Sequence, residues 1–303
     1  MAGSVCIGAT EYLDVIKARL DAEFQMLQAD GIKINIEQGQ RGQMNFLGCA
    51  ITDYGDCHYS AQETEDIFKH YLANAVADLI TDYHEKDLIR EIVQENYYYF
   101  NEDERNTIYQ YAVNYLSQSP EHAGEYMVYQ VSRKSKILQR LLEYFHLNDE
   151  LVVDGFIKFR LKDYVQELQE SVERAVDDFM MEREYKEFIR LLKYFVDIQE
   201  PRVDQVHVVL SPSGVFKLLD EHNQPINSDY LEGFIMDLAD SEINYEDLLI
   251  SALITIAPSE IVLHFNEKAN LHNTLGTIGN VFGNRVKNCG GCSLCVQSNN
   301  GGH

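Results

Sequence analysis

Hydrophobic positions along this chain pass through three regimes: a mixed opening, a long stretch at helical spacing, and a mixed close. Residues 4–8 read as a short strand of small side chains. Leu13, Ile16, Leu20, Phe24 and Leu27 then recur at the 3–4 residue spacing that lines one helix face, and Gly31 offers the positive φ that ends a helix. Ile32, Ile34 and Ile36 alternate with polar residues, as in a half-buried strand, and residues 44–51 form the next strand beyond a turn flanked by Gly39 and Gly42. The prediction for residues 1–59 is a small βαββ unit.

Residues 60–200 are predicted to be helical. Ser60 followed by Glu63 fits a capping box, and Asn101 followed by Glu102, Asp103 and Glu104 places a cap and three acids at another helix start. Leu161, Tyr164, Val165, Leu168, Val172, Val176 and Phe179 give the longest stripe and predict a helix over 161–179. After the charged interruption at 182–184 the stripe resumes at Phe188, Leu191, Leu192 and Phe195, until Pro201 closes it. The aromatic run Tyr97 to Phe100 is expected to close a helix onto the core.

Residues 201–296 return to strands. Val206, Val208 and Leu210 mark one, Pro212-Ser213-Gly214 a turn, and 215–219 the returning strand. Helices are expected near Asp229 and Tyr245, a strand over 261–265, a helix carrying Leu275, Ile278, Val281 and Phe282, and a short strand over 285–287. Strand–helix–strand order implies parallel pairing. The fold class is α+β: a small N-terminal βαββ unit, a central helical region, and a C-terminal α/β unit with a Cys-rich tail. Residues 297–303 read as a disordered end.

Charge narrows the partners. With 25 Lys+Arg against 49 Asp+Glu the net charge is −24, spread along the chain rather than gathered in a tail. A polyanion would meet repulsion over most of such a surface, so no nucleic acid is expected as a partner. Arg133, Lys134, Lys136 and Arg140, with Lys158, Arg160 and Lys162, are the basic concentrations, and pairing with the protein's own acids is expected of them. No run of about 18 apolar residues occurs, which argues against a membrane helix. The first fifteen residues lack the pattern of an export signal, so a cytoplasmic setting with reduced thiols is expected.

Chemistry concentrates in Cys289-Gly290-Gly291-Cys292-Ser293-Leu294-Cys295. Gaps of two residues let a tight turn aim neighbouring thiolates at one ion, and the glycines allow the backbone angles required. Three thiolates are one ligand short of a closed zinc site. The fourth ligand is sought among His264, His272, the N-terminal cysteines Cys6, Cys49 and Cys57, and a residue of a second subunit. His264 is the first choice, because its strand should run beside the one leading into the cysteines. An iron–sulfur cluster is chemically admissible as well. A dithiol reading pairs Cys289 with Cys292 and makes Cys295 a resolving thiol. The bland alternative is an exposed tail whose thiols do nothing specific.

Other features are weaker. Gly276, Gly279 and Gly283 resemble a loosened phosphate loop, but close helix packing is the expected reason for them. His207 and His222 could meet across the hairpin, although lone strand histidines are more often partly buried polar residues. Asp220, Glu221 and His222 are read first as an acidic turn rather than an acid–base group. The sequence has no GxxxxGK[ST], GxSxG or HExxH motif, and it names no catalytic residue.

The run Asp247-Leu248-Leu249-Ile250-Ser251-Ala252-Leu253-Ile254-Thr255-Ile256-Ala257-Pro258, then Ile261-Val262-Leu263-His264, then the three-cysteine ending, resembles the YtxC-like sporulation proteins of spore-forming Gram-positive bacteria. Phe156-Ile157-Lys158-Phe159-Arg160-Leu161 and the overall length are similar too. The resemblance implies a cytoplasmic protein of a sporulating bacterium and supplies no activity, substrate or catalytic residue. Two functions are therefore carried forward: a non-enzymatic, metal-stabilised or interaction protein with a protein partner, and a thiol- or metal-dependent enzyme whose site is the cysteine cluster.

Overall fold

The structure is a computed structural model describing residues 3–29, 31–42, 44–55, 59–117, 123–210, 216–226, 245–264 and 272–295. Cys57, the 212–214 turn, the helix expected near Asp229 and the 297–303 end lie outside these residues. The chain forms two compact units, Met1–Met180 and Met181–His303, the division falling within one helix.

The first unit opens with strand β1 (Ser4–Ala9), helix α1 (Leu13–Ala29) and strands β2 (Lys33–Arg41) and β3 (Met44–Asp53). Helix α1 buries the five residues of the predicted stripe, from Leu13 to Leu27. The sheet order is β2-β3-β1-β4, with β4 (Glu150–Val152) parallel to β1. At three residues, β4 is too short to leave a periodic signature in sequence.

Helix α2 (Ala61–Leu79) starts at the capping box, with Ser60 N–H donating to Glu63 Oε2 at 2.8 Å and Glu63 N–H to Ser60 Oγ at 3.3 Å. It runs into a π-helical turn, Ile80–His84, before helix α3 (Glu85–Asn96). Asn101 caps helix α4 (Glu102–Ser117), accepting from Glu104 N–H at 3.0 Å. Helices α5 (Ala123–Phe145) and α6 (Val153–Arg160) follow. Of the aromatic run, Phe100 is buried against Phe179 and Tyr97 packs on the core, whereas Tyr98 and Tyr99 are exposed.

Helix α7 (Lys162–Ile198) is longer than its predicted 161–179 stripe. The charged stretch at 182–184 does not interrupt it, because these residues are good helix formers and pair one turn on, Lys186 with Glu182 at 2.6 Å and Arg183 with Glu187 at 3.6 Å.

The second unit holds strands β5 (Val203–Leu210) and β6 (Phe216–Leu219), helix α8 (Tyr245–Ile256), strand β7 (Pro258–His264), helix α9 (His272–Phe282) and strand β8 (Val286–Asn288). Its sheet order is β6-β5-β7-β8, with β5, β7 and β8 parallel and β6 antiparallel. Val206, Val208, Ile261 and Leu263 face a core shared with Leu253, Ile278, Phe282 and Val196. Strand alternation therefore sends His207 and His264 to the opposite face. Gly283 has φ +54 and turns the chain out of α9, but a Cβ at Gly276 or Gly279 would meet no described atom within 4 Å, so close packing is not the reason for those two.

Candidate metal centre

Three parallel strands ending together build the site from below. His264 is the last residue of β7, and β8 pairs beside it in the register Leu263↔Asn288, so Cys289 begins level with the end of β7. Cys289 N–H extends the ladder by donating to Leu263 O at 3.0 Å. Gly291, at φ +108, then takes the left-handed turn that reverses the chain, and Cys295 N–H donates to Cys292 O at 3.1 Å.

The outcome is a convergence of the four residues predicted from sequence. One ligand atom from each of His264, Cys289, Cys292 and Cys295 lies within 4.8 Å of all the others. His264 Nδ1 is 3.3 Å from Cys292 Sγ and 3.4 Å from Cys295 Sγ, and the two sulfurs are 3.9 Å apart. A tetrahedral ion bound at about 2.3 Å to sulfur has edges of roughly 3.7 Å, close to these separations. His264 is 2% exposed while the three cysteines are half-buried, so the imidazole forms the floor of the site and the thiols its rim.

The electrostatics suit ligation. Burial, helped by His207, holds His264 below the usual imidazole range and favours the neutral form that donates a lone pair. Backbone N–H groups of Cys295 and Leu294 hold the Cys292 thiol below its usual range. Burial pushes Cys295 the other way, and its neighbouring thiols add to that rise. A dication would relieve this crowding of sulfurs by taking up their charge.

His207 is partly buried, as expected of a strand histidine, and meets His264 rather than His222: His207 Nδ1 lies 2.9 Å from His264 Nε2. His207 sits two residues before Val209, the register partner of His264, and shares its face of the sheet. That diagonal contact depends on the register of strands far apart in sequence. His222 instead pairs with the adjacent Glu221 at 3.3 Å and is exposed. Asp220 Oδ1 accepts from the His222 and Gln224 backbone N–H groups at 2.9 and 2.8 Å, the turn expected of it. Cys6 and Cys49 belong to β1 and β3 of the first unit, where burial pushes the Cys49 thiol up to about 12. The His272 side chain, like Cys57, lies outside the described residues.

Of the basic residues singled out in the sequence, Arg133, Lys134, Lys136 and Arg140 have acidic partners, whereas Lys158, Arg160 and Lys162 form no ion pair among the described residues. Lys134 reaches Asp78 at 2.6 Å, Lys136 reaches Glu167 at 2.7 Å, and Arg140 lies near Glu143 and Asp163. Arg133 makes its pair from a buried position. It is 4% exposed and donates to Glu85 at 3.1 Å and to Leu116 O at 3.0 Å.

Compared with known proteins, the chain matches the sequence profile of the YtxC-like family over residues 70–287. It belongs to the YtxC-like family. The match includes His207 and His264 and stops just short of Cys289. "Uncharacterized protein YtxC" of Bacillus subtilis (strain 168) is 29% identical over 203 residues, 67% of this chain and 70% of that relative. No solved structure matches the chain. Among the described residues, no helix is long and apolar enough to cross a membrane.

Proposed function

We propose that this YtxC-like protein is a metal-stabilised interaction protein of sporulating cells, non-enzymatic and cytoplasmic, whose second unit is clasped by one zinc ion held by His264, Cys289, Cys292 and Cys295. The observation that carries the metal reading is the convergence of four ligand atoms within 4.8 Å. Cys₃His is a closed structural zinc set, with no coordination position left for substrate. An iron–sulfur cluster spreads its ligands over several iron atoms, and this tight spacing favours a single ion over it.

The clasp has a mechanical meaning. β8 is only three residues long, and among the described residues the chain beyond it is tied to β7 by one backbone hydrogen bond and by the contacts of these side chains. An ion bridging His264 to the cysteines would fasten the edge strand to its neighbour. His264 would ligate through Nδ1 while Nε2–H donates to His207 Nδ1, the kind of outer hydrogen bond that fixes a ligating ring.

A second reading rests on the half-buried thiols and the lowered Cys292: a thiol- or metal-dependent enzyme using the same cluster. Elemental analysis of protein purified anaerobically without chelators separates the two. One zinc per chain with no reactive thiol supports the clasp. Metal-free protein in which one thiol reacts rapidly with an alkylating agent at neutral pH favours the thiol reading.

A further inference from the structure

Helix α7 carries an apolar surface far wider than its own unit uses. At about 100° per residue, its apolar side chains between Met181 and Ile198 cover roughly 220° of the circumference, where a core-facing helix needs about 100°. Ile189, Leu192 and Val196 occupy one side of that arc and pack into the second unit's core. The rest is open: Met181 is 68% exposed, Phe188 55%, Leu191 57%, Tyr194 60%, Phe195 49% and Ile198 59%.

We infer that this face is a dimer seam that pairs with the same face of a second copy. Three arguments point to a copy of this chain. Met181, Phe188 and Phe195 stand seven apart, with Leu191 and Ile198 three residues after the latter two, which is the a/d spacing of a coiled-coil seam. The exposed area suffices: large side chains at these exposures offer on the order of 700 Å² per copy, close to the ~800 Å² each partner gives a standard interface and above the largest patch usual on a monomer. Charge also selects this stretch. In a chain of net −24, residues 181–198 hold four acids and four bases, so copies can approach here without the repulsion felt elsewhere. Glu184, at an open seam position, would face itself in a parallel pair. An antiparallel two-fold pair sets it opposite Phe195 of the second copy.

Analytical ultracentrifugation of the full chain through the micromolar range tests this. The expected species is a dimer of about 70 kDa, twice the 34.9 kDa chain. The double variant Leu191→Glu with Phe195→Glu should be monomeric with unchanged helix content, whereas Lys186→Ala on the polar face should still dimerise. If the double variant does not fold, the milder Leu191→Gln should weaken self-association at least about tenfold, as loss of a central apolar anchor does. Hydrogen exchange over 181–198 should slow as wild-type concentration rises. A wild-type monomer throughout overturns the inference. A dimer that survives both Leu191 substitutions also overturns it.

Discussion

Arg133 and His84 are the residues whose burial has the clearest energetic consequence. The Arg133 guanidinium is paired with Glu85, which also accepts from Tyr164 Oη at 2.7 Å, and burial pushes the Glu85 carboxyl up although Arg133 pulls it down. Replacing Arg133 with Met would leave that carboxylate without its partner in a dry site. Removing one member of a buried pair costs about 3–5 kcal/mol, which a urea titration of Arg133→Met should register. His84, in the π-helical turn, is 8% exposed, its Nε2 finds no hydrogen-bond partner among the described residues, and burial holds it below the usual imidazole value of 6.5. The unfolded chain therefore binds a proton at a pH where the folded one does not. Stability from this residue is full above about pH 6.5 and is lost as pH falls towards the lower folded value. Urea midpoints at pH 7.5 and pH 5.5 should differ less in His84→Leu than in wild type. Neither burial was legible in sequence: Arg133 sits among three further cations, and His84 among polar neighbours, so local pattern points both outward.

Elements were more legible than residues' surroundings. The α1 stripe, the Ser60 capping box, the Asn101 cap and the β7–α9–β8 order each follow from spacings within a few residues, where local physics decides. His264 was placed beside the cysteines from sequence because adjacent parallel strands bring their carboxyl ends together. His207 was missed as its neighbour because that contact rests on the β5–β7 register, which joins strands separated by residues 211–257. Two substitutions probe the site at this scale. Cys292→Ser should release bound zinc and lower the thermal stability of the second unit, followed by metal analysis and calorimetry. His207→Ala should leave zinc bound but weaken its affinity about 10–100-fold, measured by competition with a chelating dye, as loss of an outer hydrogen bond to a ligating histidine does. Affinity unchanged in His207→Ala would mean that the His264 ring is fixed by packing alone.

At the scale of the whole molecule, net charge and topology set the expectations. The basic run at 133–140 is occupied with Glu85, Asp78, Glu167 and Glu143, and the remaining cluster of Lys158, Arg160 and Lys162 is outweighed by the net charge of −24. RNA or DNA should accordingly show no salt-sensitive shift with submicromolar protein at physiological ionic strength. Topology acts on the order in which the chain can finish. The first unit's sheet takes β4 from residues 150–152, laid parallel against β1 at residues 6–8, and Thr10 is bonded to Asp154 across the same gap. As the polypeptide leaves the ribosome, β1 can find β3 within the first fifty-odd residues, but its other edge stays unpaired until some hundred more have emerged. At about 5–20 residues per second, that open edge persists for several seconds of synthesis. Nascent chains arrested near residue 100 should be cleaved by protease within β1 and β3, and chains arrested beyond the first unit should resist.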